Sequence, residues 1–374
     1  MQSTKGMKEP ITVTKSDLPP LEKYVEYLQE IWQSRWLTNR GKFVQLLEQK
    51  MSAYLKVRRV LTLSNGTLAI QLALRALNLK GEIITTPFTF AATTNVILWE
   101  GLKPVFADIS PDTFNIDPED VRRKITPKTS AILAVHVYGN PCDVEELEEI
   151  AKEHNLKVIY DGAHAFGVEY KNRSVFEFGD ITTLSFHATK VFHTIEGGAV
   201  ICKDDAMYEK IQLLANHGIR SEEIVVMPGT NAKMNEFQAV MGLCNLEYLD
   251  EWIKKREMVY KRYKELLAGL PVTYQKLIAS RYNYIYMPVL FENLQVRDKV
   301  YDELMKNGIK GRKYFYPLTV NFEYNKKHNL VKKYKLQHAK DVSDRVLCLP
   351  LYSTLSQSDV ERIVGIVKDV ISHA

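Results

Sequence analysis

Short β-branched and apolar runs alternate with amphipathic stretches through the middle of the chain. The runs predict strands at residues 59–63, 82–86, 104–107, 131–136, 157–161, 183–186 and 199–202. Helical patterns separate most of them, at residues 68–77, 91–100 and 144–154. Strand, helix and strand in succession predict an α/β fold, in which helices cover both faces of a mainly parallel central sheet.

Two further helices are predicted before this alternating region. An amphipathic pattern covers residues 21–32, and Ser16 and Asp17 just upstream belong to residue types that begin helices. A second amphipathic stretch covers residues 43–54. Both stretches precede the alternating core.

The pattern changes towards the C-terminal end. A long charged helix is predicted over residues 246–267, a strand over 283–289 and a helix over 297–307. This mixture predicts a smaller α+β domain. We expect an N-terminal segment and large domain over residues 1–245 and a small domain over 246–374, since single cores rarely grow beyond about 250–300 residues.

Composition limits the classes of partner. The net charge of +5 comes from 50 basic and 45 acidic residues that are well mixed. This weak bias favours a small ligand with phosphate groups and does not resemble a nucleic-acid surface, where Lys and Arg cluster. No apolar run approaches the ~18 residues that span a bilayer, and the N-terminus lacks a secretory signal pattern. We expect neither nucleic acid nor membrane as a partner, and a cytoplasmic location.

Metal and disulfide chemistry are not expected either. Cys142, Cys202, Cys244 and Cys348 lie far apart, and none belongs to a CxxC pair. The nine histidines form no HxH or HxxxH pair of the kind that binds zinc.

Lys190 is the first candidate for a chemical role. It ends the segment SFHATK (185–190) just after a predicted core strand, and the segment EGG (196–198) follows. A partly desolvated amine has a lowered pKa and is nucleophilic. A lone lysine in such a place is most often a solvated surface residue, so its neighbours decide the question.

Asp161 and His164 lie in the segment VIYDGAH (158–164). An aspartate at the end of a buried strand can face the ring nitrogen of a cofactor and keep it protonated, or it can cap the following turn. His164 could touch a phenolic oxygen of the same ring, or it could be a packed core histidine.

The segment SNGT (64–67) follows a strand and opens a helix. Free backbone N–H groups and the helix dipole make such a turn an anion site, although ordinary capping explains most turns of this kind. No GxGxxG motif is present, so the turn suits a single phosphate and not a dinucleotide.

Two aromatic residues follow the second predicted strand, in the segment TPFTF (86–90). Phe88 and Phe90 are both candidates for stacking on a flat cofactor ring, and both could equally be core residues.

Taken in order, these segments resemble the DegT/DnrJ/EryC1/StrS family of sugar aminotransferases, members of the aspartate aminotransferase superfamily. The similarity covers nearly the whole chain. It is carried by WLTNRG (36–41), NGT (65–67), DGAH (161–164), the segment from Ser185 through Lys190 to EGG (196–198), GTNAKMNE (229–236) and LPLY (349–352).

The resemblance implies pyridoxal 5′-phosphate (PLP) as the cofactor, bound to Lys190 as a Schiff base. It also implies roles for further residues: Asp161 at the pyridine nitrogen; Ser185, Gly66 and Thr67 at the phosphate; Phe90 against the ring; His164 at the ring oxygen; and Asn231 at the phosphate of a neighbouring subunit. A homodimer with shared active sites follows from the last of these.

Three positions depart from the family pattern. Gly162 stands where alanine is usual, which removes one methyl group. Lys233 stands where arginine is usual, which replaces a forked donor by a point charge. The residue after Lys190 is Val191 and not the frequent asparagine. Family members that act as dehydratases carry histidine in place of the lysine, so Lys190 favours transamination.

The resemblance is strongest to the branch that aminates C4 of dTDP-4-keto-6-deoxy-D-glucose, with L-glutamate as the donor. Arg312, Lys313 and Tyr316 are candidates for binding the nucleotide-linked sugar. Three alternatives remain: amination at C3, amination of an inosose, and a non-catalytic regulatory protein that binds PLP. Loss of Lys190 or Asp161 would mark the last alternative, and both residues are present.

Overall fold

A seven-stranded sheet lies at the centre of the computed structural model, which describes residues 10–326 and 334–373. In chain order, the strands of all sheets in the described residues are β1 (Ile11–Thr12), β2 (Arg59–Leu63), β3 (Glu82–Thr85), β4 (Lys103–Phe106), β5 (Thr129–Val135), β6 (Lys157–Asp161), β7 (Glu169–Tyr170), β8 (Arg173–Ser174), β9 (Ile181–Ser185), β10 (Gly198–Cys202), β11 (Ile219–Ser221), β12 (Ile224–Val225), β13 (Met287–Leu290), β14 (Ile309–Lys310) and β15 (Val346–Leu349). The central order is β2-β10-β9-β6-β5-β3-β4. Among the seven described strands of this sheet, β10 runs in the opposite direction to the other six, so the predicted mainly parallel sheet is confirmed.

Helices cover both faces of this sheet. In chain order, the helices of the described residues are α1 (Leu21–Ser34), α2 (Lys42–Leu55), α3 (Gly66–Ala76), α4 (Ala91–Trp99), α5 (Pro118–Lys124), α6 (Val144–His154), α7 (Asp205–Ala215), α8 (Glu236–Leu266), α9 (Leu294–Lys306), α10 (Glu323–Lys326), α11 (Gln337–Arg345) and α12 (Gln357–Ser372). Successive strand residues point to opposite faces. Ile83 accordingly packs in the cluster with α3 and α7, and Ile84 packs in the cluster with α2, α6 and α8.

The seven predicted core strands and the helices between them are present, with ends displaced by two residues at most. The predicted bounds of the C-terminal elements differ from the structure. Helix α9, expected over 297–307, covers Leu294–Lys306. The long helix α8 begins ten residues earlier than expected, because Asn235 and Gln238 form a capping box there. The strand predicted over 283–289 is shorter and later, at Met287–Leu290.

The expected helix start at Ser16 and Asp17 is also wrong. Helix α1 begins after Pro20, which supplies no side-chain cap. Asp17 is instead buried, with 6% of its surface exposed, and it pairs with Arg256.

The C-terminal part forms its own apolar cluster around the antiparallel pair β13–β15, with α9 and α12 against it. Strand β1 joins this cluster because it pairs in parallel with β14. Helix α8 runs without a break past residue 245. The division into residues 1–245 and 246–374 stays a prediction.

The described residues contain neither a membrane-spanning helix nor a cluster of metal ligands. Within residues 10–326 and 334–373, no helix has the length and apolarity needed to cross a membrane. In the same part of the chain, no three His, Cys, Asp or Glu side chains lie together as metal ligands. The four cysteines are free and buried.

Candidate active site

A cavity of about 370 Å³ opens at the carboxyl edge of the central sheet, called here the sheet-edge cavity. Parallel strands that end side by side deliver their following loops to one place. Here β2, β3, β6 and β9 end at the cavity. It is lined by eight of the residues singled out from the sequence: Gly66, Thr67, Phe90, Asp161, His164, Ser185, Lys190 and Arg312.

Lys190 lies in the loop between β9 and β10, and its side chain faces the cavity. Burial among the surrounding groups, reinforced by the positive charge of Arg312, lowers the pKa of the Lys190 amine to about 8; the negative charge of Asp161 acts in the opposite direction. An amine with this pKa is partly neutral near pH 7.5 and can act as a nucleophile or a base.

Asp161 ends β6, next to β9 in the sheet. Its two carboxylate oxygens accept different hydrogen bonds: Oδ1 from the backbone N–H of Ala163 at 3.1 Å and Oδ2 from the hydroxyl of Thr93 at 2.8 Å. Burial raises the pKa of the Asp161 carboxyl, although these hydrogen bonds and the charge of Lys190 oppose the rise. A buried acid of this kind is stabilised by a cationic ligand group beside it.

The turn before α3 has the geometry of an anion site. Asn65 caps the helix, since its side chain accepts a hydrogen bond from the N–H of Leu68 at 2.9 Å. Gly66 allows Ser185 to approach closely, because a Cβ on Gly66 would lie 2.8 Å from the Cβ of Ser185. The helix N-terminus, the Thr67 hydroxyl and the Ser185 hydroxyl therefore border one end of the cavity.

The two aromatic candidates, Phe90 and Phe88, lie in different environments. Phe90 lies at the cavity with half of its surface exposed, directly before α4. Phe88 is fully buried and packs edge-on against Phe315, 5.4 Å between ring centres. Phe90 is thus available to a ligand ring, and Phe88 is a core residue.

His164 is buried and neutral. Its Nδ1 accepts a hydrogen bond from the N–H of Tyr138 at 3.3 Å, so the ring proton belongs on Nε2. Burial lowers the pKa of His164 well below its ordinary value, and the positive charges of Lys190 and Arg312 add to this. Phe315 stacks on the ring, with 6.0 Å between centres. His164 can therefore offer the cavity a fixed neutral donor.

The three predicted substrate contacts do not come together. Arg312 lines the cavity, with its guanidinium 4.1 Å from the centre of the Tyr314 ring. Lys313 points elsewhere and pairs with Asp298 at 2.5 Å, because successive residues of an extended segment project to opposite sides. Tyr316 lies 4.9 Å beneath the guanidinium of Arg297, also away from the cavity.

Asn231 does not line the sheet-edge cavity of its own chain. It is exposed and pairs through its backbone with Asn216. Nearby, Lys233 donates to the side chain of Asn216 at 2.7 Å. Lys233, with Arg40 and Arg220, borders a larger cavity of about 730 Å³ that contains neither Lys190 nor Asp161.

Several further side chains at the site carry no distinguishing pattern in the sequence. Thr89 lines the cavity and shares a hydrogen bond of 2.9 Å with Thr93, which holds Asp161. His187 and Glu196 also line the cavity, with Nε2 and Oε1 3.5 Å apart. Thr89 lies just before α4 and Thr93 lies in its first turn, and nothing in the sequence marks either residue as facing Asp161.

This fold, with a lysine and a buried aspartate at the carboxyl edge of the sheet, defines a class of protein: the PLP-dependent aminotransferases. Two solved structures are similar to this chain. DesI, determined in the presence of its TDP-sugar product, has a TM-score of 0.92 and 33% identity, covering 98% of this chain and 94% of that chain. NtdA from Bacillus subtilis, with bound cofactor PMP, has a TM-score of 0.90 and 27% identity, covering 99% and 87%.

The chain belongs to the DegT/DnrJ/EryC1/StrS aminotransferase family, whose profile matches residues 21–368. A dTDP-4-amino-4,6-dideoxy-D-glucose transaminase of Shigella dysenteriae is 42% identical over 372 residues, covering 97% of this chain and 100% of the relative. The family resemblance seen in the sequence motifs is therefore confirmed.

Proposed function

We propose that the protein transfers an amino group from L-glutamate to C4 of dTDP-4-keto-6-deoxy-D-glucose, with PLP as cofactor. The observation that carries the proposal is that Lys190, with its lowered pKa, and the buried Asp161 share one cavity with an anion-binding turn. The choice of sugar is supported by the Shigella relative, whose name states the corresponding amino-sugar, and by DesI, which was solved with a TDP-sugar product.

The residues at the sheet-edge cavity fit the cofactor. The turn at Gly66 and Thr67, together with Ser185, would hold the phosphate, and Asp161 would face the pyridine nitrogen. Two more residues complete the set: Phe90 against the ring and His164 at the ring oxygen. When bound, the cofactor supplies an aldehyde for amine exchange and a protonated ring that withdraws electrons from the reacting carbon.

Lys190 performs the proton transfers in this proposal. Its Nζ would hold the aldehyde carbon of the cofactor before the substrate arrives. Once free, Nζ would be the base that accepts the proton from the reacting carbon of the substrate and the acid that gives it back. A pKa of about 8 suits both steps, because the amine must be neutral to accept the proton and cationic to return it.

Asp161 and His164 act by fixed charge and fixed hydrogen bonding. The carboxylate of Asp161 would keep the ring nitrogen of the bound cofactor protonated, since a buried anion strongly favours a cation at contact distance. His164 stays neutral in the buried site, so it donates through Nε2 without adding a positive charge.

Arg312 is the cation that we assign to the nucleotide-linked substrate. It is the guanidinium among the cavity-lining residues, and a guanidinium matches phosphate and carboxylate oxygens in pairs. A role for Lys313 or Tyr316 is not supported, because their side chains lie outside the sheet-edge cavity.

A homodimer with shared sites is part of the proposal, and a cytoplasmic location stays a prediction. Asn231 is exposed outside its own cavity, which suits a contact to the phosphate site of a second copy. Mixing Lys190→Ala with Asn231→Ala protein tests this. Subunit exchange should restore activity if each site takes both residues from different copies, and no recovery would contradict the shared site.

The reaction itself is tested by absorbance. Protein loaded with PLP should be converted to the aminated form by L-glutamate, and dTDP-4-keto-6-deoxy-D-glucose should then restore the original spectrum. Lys190→Ala should yield no 2-oxoglutarate, while Lys203→Ala, at a surface ion pair, should behave as wild type.

Three outcomes would point to the alternatives. Restoration by an inosose and not by the keto-sugar would reassign the substrate. An amine at C3 of the product would reassign the position. Binding of PLP without any conversion by glutamate would favour a regulatory protein.

A further inference from the structure

A short N-terminal segment, residues 13–17, crosses the loop that carries Lys190; we call it the strap. The hydroxyl of Ser16 donates to the carbonyl oxygen of Ala188 at 2.7 Å. The backbone carbonyl of Asp17 accepts from Nε2 of His193 at 2.7 Å. These two contacts lie two residues before Lys190 and three residues after it, so the strap holds the lysine loop on both sides.

A hydrogen bond within the loop decides that His193 is the donor in its contact with Asp17. Nδ1 of His193 accepts a hydrogen bond from the N–H of Ile195 at 3.2 Å, so Nε2 carries the proton that goes to Asp17. The carbonyl of His193 is held as well, by the side-chain amide of Asn245 at 2.8 Å. The loop is thus clamped between the strap and helix α8, which carries Asn245.

The strap is anchored by a buried ion pair. Oδ2 of Asp17 lies 2.9 Å from Nη2 of Arg256, and the two side chains are 4% and 1% exposed. Oδ1 of Asp17 accepts from the hydroxyl of Ser353. Arg256 also donates to the carbonyl of Leu351 at 3.3 Å. The anchor therefore joins three distant parts of the chain at one point.

A backbone hydrogen bond fixes the other end of the strap. The carbonyl of Val13 accepts a hydrogen bond from the N–H of Leu351 at 3.0 Å. The segment from Leu351 to Ser353 thus holds the strap at two places, through Val13 and through Asp17. Displacement of the Asp17 carbonyl relative to the C-terminal part requires breaking these bonds.

Stability alone does not account for such an anchor. Removing two charges from water costs several kcal/mol per ion, and apolar pairs of similar volume are often as stable or more stable. What an ion pair with directional hydrogen bonds adds is a defined position for the residues that make it. Here that position is the one from which Asp17 and Ser16 reach the lysine loop.

We propose that Asp17 and Arg256 are positioning residues for Lys190: their ion pair fixes the strap, and the strap holds the lysine loop closed over the amine. This inference rests on the proposed role of Lys190. A loosened loop would admit water to the amine and widen the range of positions that Nζ samples.

Loss of the ion pair is expected to change the pKa of the Lys190 amine and not only the stability of the fold. The charged groups that act on Lys190 are Asp161 and Arg312, and neither belongs to the strap. If the loop loosens, the desolvation that lowers the pKa of Lys190 is reduced, and the pKa rises from about 8 towards the ordinary value of roughly 10.4.

The test compares Asp17→Asn with Asp108→Asn in the full chain freed of cofactor. Asp108 is a matched control because it is a buried aspartate, 8% exposed, that ties the start of α11 through Ala339 at 2.8 Å. Two quantities are measured: the pH midpoint for labelling of the Lys190 amine by acetic anhydride, and amide hydrogen exchange across residues 187–195.

Asp17→Asn should raise the labelling midpoint by about one pH unit or more and speed loop exchange by about tenfold. Asp108→Asn should leave both near wild type. Unchanged values in Asp17→Asn, or equal shifts in both variants, would overturn the proposal. Labelling does not require PLP. A failure of the proposed aminotransferase function would be seen separately, as wild-type protein that does not bind PLP.

A milder variant serves if Asp17→Asn does not fold. Ser16 is exposed, so Ser16→Ala removes one hydrogen bond to the loop without leaving a buried charge unpaired. Ser372→Ala is its control, since Ser372 makes a similar exposed bond to the carbonyl of Asp369 at the far end of α12. A raised midpoint in Ser16→Ala but not in Ser372→Ala supports the strap, and equal midpoints refute it.

Discussion

The hydroxyl of Thr93 donates a hydrogen bond of 2.8 Å to Oδ2 of Asp161, and both residues are buried. Thr93 lies in the first turn of α4, and Asp161 ends β6. The other carboxylate oxygen is held by Ala163. The acid proposed to face the cofactor is therefore fixed at both oxygens by the protein itself.

Replacing Thr93 by valine should weaken PLP binding by about tenfold. The two side chains have similar shapes, so the main change is a carboxylate oxygen that loses its donor, at a cost of roughly 1–3 kcal/mol. The hydrogen bond lowers the pKa of Asp161, so its loss raises that pKa and makes the charged form harder to keep. The dissociation constant of PLP, measured by absorbance at pH 7, checks this.

Thr94→Val is the matched control for that measurement. Thr94 is equally buried in the same helix, and its hydroxyl contacts Thr319 at 3.0 Å and not Asp161. Both variants should lose some stability. Equal affinities for PLP in the two variants would show that Thr93 has no specific effect on the acid.

The sequence was sufficient to predict the sheet and to predict side chains that meet at the sheet-edge cavity, because both depend on local patterns. Lys190 and Asp161 follow short apolar runs, and the carboxyl ends of adjacent parallel strands meet at one edge. The turn at Gly66 is also local, since a helix start after a strand has a recognisable composition.

Contacts between distant segments were not predictable in the same way. Asp17 was expected to begin a helix, and it pairs instead with a residue 239 positions away. Lys313 was expected beside Arg312 at the substrate, and the extended backbone turns its side chain towards Asp298. A capping pattern or a run of basic residues does not encode which tertiary partner a side chain meets.

The pH dependence of cofactor capture should follow Lys190. An amine attacks an aldehyde only when neutral. With the pKa lowered to about 8, capture of PLP by cofactor-free protein should rise with pH through a midpoint near 8. Stopped-flow absorbance across pH 6–10 measures it, and a midpoint near the ordinary lysine value of about 10.4 would contradict a desolvated amine.

Two substitutions should move that midpoint in opposite directions. Asp161 raises the pKa of Lys190 by its negative charge, so Asp161→Asn should lower the midpoint and also slow turnover by several orders of magnitude. Arg312 lowers the pKa of Lys190, so Arg312→Gln should raise the midpoint. Shifts of the same sign in both variants would show that the charges of these residues do not control the amine.

Arg312 and its neighbour Lys313 should differ in substrate binding. Arg312→Gln removes the guanidinium at the cavity, and the loss of a charge-assisted contact of about 1.5–3 kcal/mol should raise KM for the sugar nucleotide by roughly 10-fold to 100-fold. Lys313→Gln should leave KM near wild type, because its amine is paired with Asp298 outside the cavity. Equal rises in KM for the two variants would show that Lys313 also binds the sugar nucleotide.

Gly162 offers a test of why this chain departs from the family pattern. An alanine Cβ there would lie 3.0 Å from Cγ2 of Thr182 and 3.1 Å from Cε1 of Phe176. Replacing glycine by alanine can stabilise a chain by roughly 0.4–1 kcal/mol where space allows. Here the crowding of a packed interior, which costs about 1–3 kcal/mol, should prevail.

Gly162→Ala should therefore unfold at lower denaturant concentration than wild type, and it should bind PLP more weakly because Asp161 is the adjacent residue. Adding Thr182→Ser removes the nearest methyl group and should recover part of both losses. Equilibrium unfolding and PLP titration of the single and double variants distinguish the cases. A single variant as stable as wild type would mean that Phe176 and Thr182 yield to the methyl group, and that packing does not explain the glycine.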